Sequence, residues 1–255
     1  MVQTSYAPLY PSALHNRFVH SLGVYHLGCH AADVLDRSVG QLLVEREACS
    51  EIIGHWKSSL ASFKAACLLH DFGHAPFSHT GEQFFDPQQN YLRDELIKRV
   101  GDDGFREDTE RSKSAAPHEI MSAILGIDTF GSKIPNVDLF ARAITGFKYS
   151  DADDPERQLD NALIEMLNST TIDVDKLDYL IRDSYVVGFD SVKIDCERLL
   201  DGLRVVSVAD GYVLAYHKSA LSVLENVIYA RDFEKKWIQS HPAVLYDQML
   251  VQHAC

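Results

Sequence analysis

Apolar residues recur at three- and four-residue steps through Leu14, Phe18, Leu22, Tyr25, Cys29, Ala32 and Leu35. That spacing is one face of a helix over residues 12–37. Gly40 and Gln41 loosen the chain, and the pattern resumes over 42–56 and again over 58–69. In the last of these, Phe63, Ala66, Cys67 and Leu69 form an inward face, and Gly73 supplies a helix stop. Residues 81–100 are polar and partly helical. The segment GDDGFREDTERSKSAAP, residues 101–117, is charged, holds two glycines and has few apolar anchors, which predicts a solvated loop. Helices are expected at 118–125, 137–147 and 156–169, and again at 172–187. The acidic run SDADDPE at 150–156 reads as a solvated turn. Alternation of apolar and polar residues over 203–217, around Asp210 and Gly211, is a hairpin signal. Residues 219–239 read as a long helix, and Pro242 opens the last segment.

These elements predict an all-α, or mostly α, fold with one small β-hairpin near 203–217. There is no internal repeat, low-complexity tract or clear linker. The chain of 255 residues is expected to be a single domain over 1–255, with its core at about 12–187 and a helical extension carrying the hairpin at 188–255.

Composition excludes some functions. Apolar residues make up 46% and charged residues 24%, which rules out a disordered or fibrous chain. Asp plus Glu is 37 against 24 Lys plus Arg, a net charge of −13. Such a chain repels polyanions on average, so strong nucleic-acid or membrane binding is not expected. An anionic small molecule would need local positive charge. The five cysteines are odd in number and form no CxxC pair, so no disulfide framework is expected, and a reducing cytoplasm is. MVQTSYAPLYPSALHNRF lacks the basic start and apolar run of a signal peptide, and no stretch is apolar enough for a membrane helix.

Histidine changes the picture. Of twelve, eight fall between His15 and His79, where even scatter would put about three. Adjacent helical residues point about 100° apart, so His70 and Asp71 can reach one cation only at the end of a helix, and Gly73 marks such an end. Imidazole and carboxylate together suit manganese, iron, nickel or zinc. His20 adds a third donor, with Arg17 one turn before it on the same side. A ligand beside a guanidinium makes a sensible phosphate site, since Arg grips phosphate oxygens bidentately. In DVDKLDYLIRD, residues 173–183, Asp175, Tyr179, Arg182 and Asp183 share a face with Lys176 at its margin, opposite Ile172, Leu177, Leu180 and Ile181. That helix lines a polar cavity or is a salt-bridged surface helix; its own residues leave both open. His15, His26, His30 and His55 have no such support and read as surface or core residues.

The strings HNRFVHSLGV at 15–24, HDFGHAPFSH at 70–79 and IDVDKLDYLIRD at 172–183 resemble the HD-domain metal phosphohydrolase superfamily, and within it the deoxynucleoside triphosphate triphosphohydrolase branch. The resemblance runs from about Tyr10 to Val187. It implies an HD-domain helical bundle with a divalent ion (Mn, Fe, Ni, Zn or Mg) held by His20, His70, Asp71 and Asp175. It implies Arg17 on the phosphates, His79, His118 and His74 as active-site histidines with His79 the preferred proton donor, and Lys176, Tyr179 and Asp183 on the triphosphate and sugar. Metal-bound water would attack phosphorus, releasing deoxynucleoside and tripolyphosphate. The partner is then a nucleotide, and a homo-oligomer is implied by analogy.

The family pattern also has a segment before the first motif and a long C-terminal region, against which this sequence is trimmed. Its base-stacking aromatic would be replaced by Trp237 or Tyr246. The same ligands would serve hydrolysis of a monophosphate, cyclic nucleotide or alarmone, and a non-catalytic nucleotide-sensing module is the third alternative.

Overall fold

The computed structural model describes residues 9–45, 50–82, 84–85, 88–112, 115–150, 154–188, 193–208 and 211–254. Among these the chain forms twelve α-helices and one two-stranded antiparallel sheet. α1 (Arg17–Glu45) and α2 (Ser50–Leu69) pack along each other, and α7 (Val137–Thr145) and α8 (Pro155–Leu167) pack against α2. α4 (Gln89–Val100) and α6 (Pro117–Phe130) continue that layer, with α3 (His79–Glu82) and α5 (Asp103–Arg111) as short elements beside them. α9 (Val174–Val187) closes over the N-terminal half of α1. After α10 (Cys196–Asp201), β1 (Leu203–Val208) and β2 (Gly211–Tyr216) pair from Leu203↔Tyr216 to Val208↔Gly211. α11 (Leu221–Glu234) ends in a single π-helical turn at Lys235–Gln239, and α12 (Pro242–Ala254) follows.

The mostly α architecture with one hairpin is the expected one. The hairpin lies at the expected place, with Leu203 and Val205 buried and the Val205 amide donating to Ser38 Oγ of α1 at 3.0 Å. The turn signal at Asp210 falls outside the described residues, as do part of the acidic run 150–156 and the cysteines at 49 and 255. The three described cysteines, Cys29, Cys67 and Cys196, are free thiols. No described helix is long and apolar enough to cross a membrane.

Two expectations are corrected. Residues 101–117 are not one loop: α5 occupies Asp103–Arg111, capped by Asp102 Oδ1, which accepts from the Phe105 amide at 2.8 Å. Phe105, Asp108 and Thr109 are its buried face, a one-turn stripe too short to show through the surrounding charge. The expected helices at 42–56 and 58–69 are not separated at 57. α1 runs through Gly40 to Glu45, and α2 is continuous from Ser50. Burial of Val39 and Leu43 outweighs the roughly 1 kcal/mol that a mid-helix glycine costs.

The apolar stripe read through residues 12–37 divides: Ala32 and Leu35 are buried, whereas in the N-terminal half Phe18 is 70% exposed, Leu22 and Tyr25 are exposed too, and Leu14, ahead of α1, is 65% exposed. In this half of α1 the inward residues are His20 and Val24. α9 explains the inversion, because it turns Asp178 and Asp183 inward while Ile181, expected on the apolar side, is exposed. Polar groups on two helices satisfy one another, and the seam between α1 and α9 becomes a polar cluster rather than core.

Candidate active site

His20, His70, Asp71 and Asp175 come from three elements. His20 lies in the first turn of α1, Asp175 in the first turn of α9, and His70 with Asp71 in the turn that ends α2. Their donor atoms converge. Nε2 of His20 is 2.9 Å from Oδ1 of Asp175 and 3.3 Å from Nε2 of His70. Nε2 of His70 is 3.6 Å from the same Asp175 oxygen. Asp71 stands at the edge, its Oδ2 3.7 Å from each of the two Nε2 atoms.

The far side of each imidazole is also held. Nδ1 of His20 donates to Oδ2 of Asp178 at 2.7 Å, and Nδ1 of His70 donates to the Cys67 carbonyl at 2.9 Å. Each ring is thereby oriented with Nε2 toward the shared centre. Burial alone would lower the His20 imidazole, but its bonds to Asp175 and Asp178 carry it up to about 10. Burial likewise opposes ionisation of Asp71, and His70 and Arg17 overcome it, bringing the carboxyl down to about 2. Two imidazole nitrogens and two ionised carboxylates with fixed backing groups form a donor set that fits a divalent cation such as manganese, iron, nickel, zinc or magnesium. A cation there replaces the protons that the imidazoles otherwise hold.

A cavity of about 520 Å³ opens over this cluster. Arg17, His20, Asp71, Asp175, Lys176, Tyr179 and Asp183 line it, together with His79 and His118. Arg17, the first residue of α1, bonds Asp71 through Nη1 and Ser78 Oγ through Nη2. Lys176 is turned toward the start of α9, with Nζ 2.6 Å from Asp173 Oδ2 and 2.9 Å from the Ser169 carbonyl. Asp183 lies 2.7 Å from Nε2 of His15, a histidine that sequence reasoning left without a role in this wall. His26 is exposed, and His30 and His55 pair with Asp201 and Asp160 away from the cavity.

The remaining histidines gather around a residue the sequence did not single out, Glu82. Its Oε1 is 3.1 Å from Nδ1 of His79 and 3.5 Å from Nε2 of His74, and it bonds Nδ1 of His118. The His74 and His118 rings stack at 4.2 Å. His74 does not line the cavity but sits behind His79 and His118. Burial, followed by Arg17 and His118, lowers its imidazole to about 2, so it is neutral. Burial also works against a charged His118, but Glu82 wins and raises it.

Asp178, Glu82, Glu234, Gln239 and Gln248 were missed, whereas Glu119, which stood out beside His118 in the sequence, lines the cavity. For Asp178 a signal existed, its i,i+4 spacing to Arg182, which the structure joins by bonds of 2.8 and 2.7 Å. Nothing in the pattern of α11 marks Glu234, which is buried and whose carboxyl burial pushes well above its usual range. Neither Trp237 nor Tyr246, the expected replacements for a stacking aromatic, lines the cavity.

The family model of the HD domain matches residues 17–212. The chain is 28% identical over 222 residues to the "uncharacterized protein MG461 homolog" of Mycoplasma pneumoniae, covering 87% of this chain and 44% of that protein. It is 28% identical over 232 residues to the "uncharacterized protein YwfO" of Bacillus subtilis, covering 90% and 42%. Against the deoxynucleoside triphosphate triphosphohydrolase SAMHD1 of Homo sapiens, identity is 28% over 239 residues, covering 88% and 34%. The chain spans less than half the length of each of these relatives.

Proposed function

The chain belongs to the HD domain family, whose members are metal-dependent hydrolases, and from that premise we propose that it hydrolyses deoxynucleoside triphosphates to deoxynucleoside and tripolyphosphate. The observation that carries the reading is the shared cavity: the His–Asp cluster, two cationic side chains and the Tyr179–Asp183 wall all open into one space. Its volume suits a small organic ligand.

Charge argues for the ion. Asp71 and Asp175, both held ionised, line the cavity with Asp183, facing the cations Arg17 and Lys176. A polyphosphate entering so acidic a space needs further positive charge. When bound, a divalent ion supplies that charge, polarising a phosphate and lowering the pKa of nearby water.

The protein's own groups do the rest. Arg17 is held by Asp71 and Ser78 so that its guanidinium stays beside the cluster, where it grips phosphate oxygens and offsets charge developing on them. Lys176, fixed by Asp173 and the Ser169 carbonyl, adds a point charge on the same wall. His79 and His118 face the cavity and share Glu82, so a proton stored on this pair is available to the leaving oxygen. His74, buried and neutral, positions the other two. Asp183 accepts from a sugar hydroxyl, and Tyr179 bounds the sugar.

The test is product analysis. Each deoxynucleoside triphosphate is incubated with the protein and manganese, and the products are separated by ion exchange, with Asp71→Ala as control. Tripolyphosphate plus deoxynucleoside, absent in the variant, is the expected result. Orthophosphate alone would move the assignment to another phosphate ester, such as a monophosphate, cyclic nucleotide or alarmone. Nucleotide binding without any metal-dependent turnover would make the chain a sensing module.

A further inference from the structure

We propose that His74, His79, Glu82 and His118 form a second metal site, distinct from the His20–His70–Asp71–Asp175 cluster, which takes a borderline transition-metal ion, zinc above all. The four donor atoms lie within 4.8 Å of one another. Glu82 Oε1 is 3.1 Å from His79 Nδ1 and 3.5 Å from His74 Nε2. Bonds of about 2.0–2.1 Å in a tetrahedral zinc site put donors roughly 3.3–3.5 Å apart, so these two separations need little change. The bond between Glu82 and His118 must lengthen to admit an ion. Three imidazoles with one carboxylate suit zinc and disfavour magnesium or calcium, which seek oxygen.

Two independent observations point to a ligand. The His74 side chain is only 2% exposed, and neither ring nitrogen makes a hydrogen bond. Buried polar atoms seldom go without a partner, and an ion at the centre of the cluster would supply one to Nε2. The segment that delivers His79 is strained: Phe77 and Ser78 are consecutive non-glycine residues at φ 66° and 60°. Strain of this kind costs about 1–3 kcal/mol per residue and gathers at ligand clamps. His79 is half exposed and gives the ion an entry path.

The consequence for catalysis rests on the function proposed above. An ion held by His79 and His118 occupies the lone pairs that would carry the leaving-group proton, so zinc would silence turnover without displacing the ion of the first cluster.

The experiment is zinc stoichiometry on the full chain, by equilibrium dialysis and elemental analysis, with anomalous diffraction at the zinc edge to locate the ions. Two equivalents per chain are expected. Glu82→Gln and His74→Phe should each lose one, and Asp175→Asn should lose the other while keeping this one. A single equivalent that survives Glu82→Gln and vanishes in Asp175→Asn would overturn the proposal. A single equivalent with the opposite behaviour would support the second site and count against the reading of the first cluster. If neither Glu82→Gln nor His74→Phe keeps its fold by circular dichroism, the wild-type anomalous map decides: a peak among the four side chains sustains the site, and its absence at saturating zinc refutes it.

Discussion

Nδ1 of His20 lies 2.7 Å from Oδ2 of Asp178, and that carboxylate is held on its other side by Arg182. The contact joins α1 to α9 and decides which imidazole nitrogen faces Asp175. Groups that orient a metal-binding histidine typically contribute about 10–100-fold to affinity. Asp178→Ala should therefore weaken manganese binding by about that factor in a chelator competition. Asp178→Asn, whose amide oxygen still accepts, should fall between the variant and the wild type. Equal affinity in all three would show that the contact does not orient the site.

Gly23 makes that contact possible. A Cβ at this position would stand 1.8 Å from Asp178 Oδ1 and 2.4 Å from Arg182 Nη2. Gly23→Ala must push Asp178 away and should lose metal affinity as Asp178→Ala does. Because both changes act through one carboxylate, the double variant should be little worse than either single one. Additive losses would mean that the glycine acts elsewhere.

Arg17 binds Asp71 and Ser78 at once, a two-armed arrangement that lysine cannot reproduce. Arg17→Lys should lower kcat/KM by roughly 10²–10³-fold, the scale of one lost charge-stabilising donor. Its metal content, read by elemental analysis, should stay near that of the wild type. A parallel loss of metal would recast Arg17 as a support for Asp71.

Arg142 is fully buried, with Nη1 2.8 Å from Asp108 and Nε 2.8 Å from Asp138, and its guanidinium lies 3.9 Å over the Tyr149 ring. Removing one partner of a buried ion pair leaves uncompensated charge. Arg142→Leu should cost about 3–5 kcal/mol in urea unfolding. Adding Asp108→Asn should return part of that loss. A cost under about 1 kcal/mol would show that water reaches the acids.

His55 offers a pH test away from the cavity. Its bond to Asp160, at 3.0 Å, raises the imidazole against the lowering effect of partial burial. A raised folded-state value means that the protonated form is favoured by folding. The pair therefore contributes most below the ordinary value of 6.5 and loses its contribution as pH rises through the folded value. The melting-temperature advantage of the wild type over His55→Gln should be largest near pH 6 and shrink toward pH 9. An advantage that grows with pH would reverse the sign of this linkage.

The sequence by itself determined a good deal. Helical period and hairpin alternation are local properties of the chain, so the mostly α architecture and the hairpin at Leu203–Tyr216 were legible. The order of His20, His70–Asp71 and Asp175 was legible as a candidate cluster, because the residue types that hold cations are few and their neighbours, Arg17 and Lys176, carry matching chemistry.

Other features were decided by tertiary structure alone. Periodicity says which residues share a face but not which way that face points. The Leu14–Phe18–Leu22–Tyr25 stripe faces outward because α9 brings carboxylates against the other side of α1. α5 was hidden because its inward face is one turn long and mostly polar, and Asp108 becomes a core residue only once Arg142 arrives from α7. Asp178 and Glu82 acquire their partners across 158 residues in the first case and, for His118, from another helix in the second. An isolated carboxylate in a sequence is a solvated charge by default. Only the fold sets what lies within 3 Å of it, and that distance decides whether it orients a histidine, holds a proton or faces water.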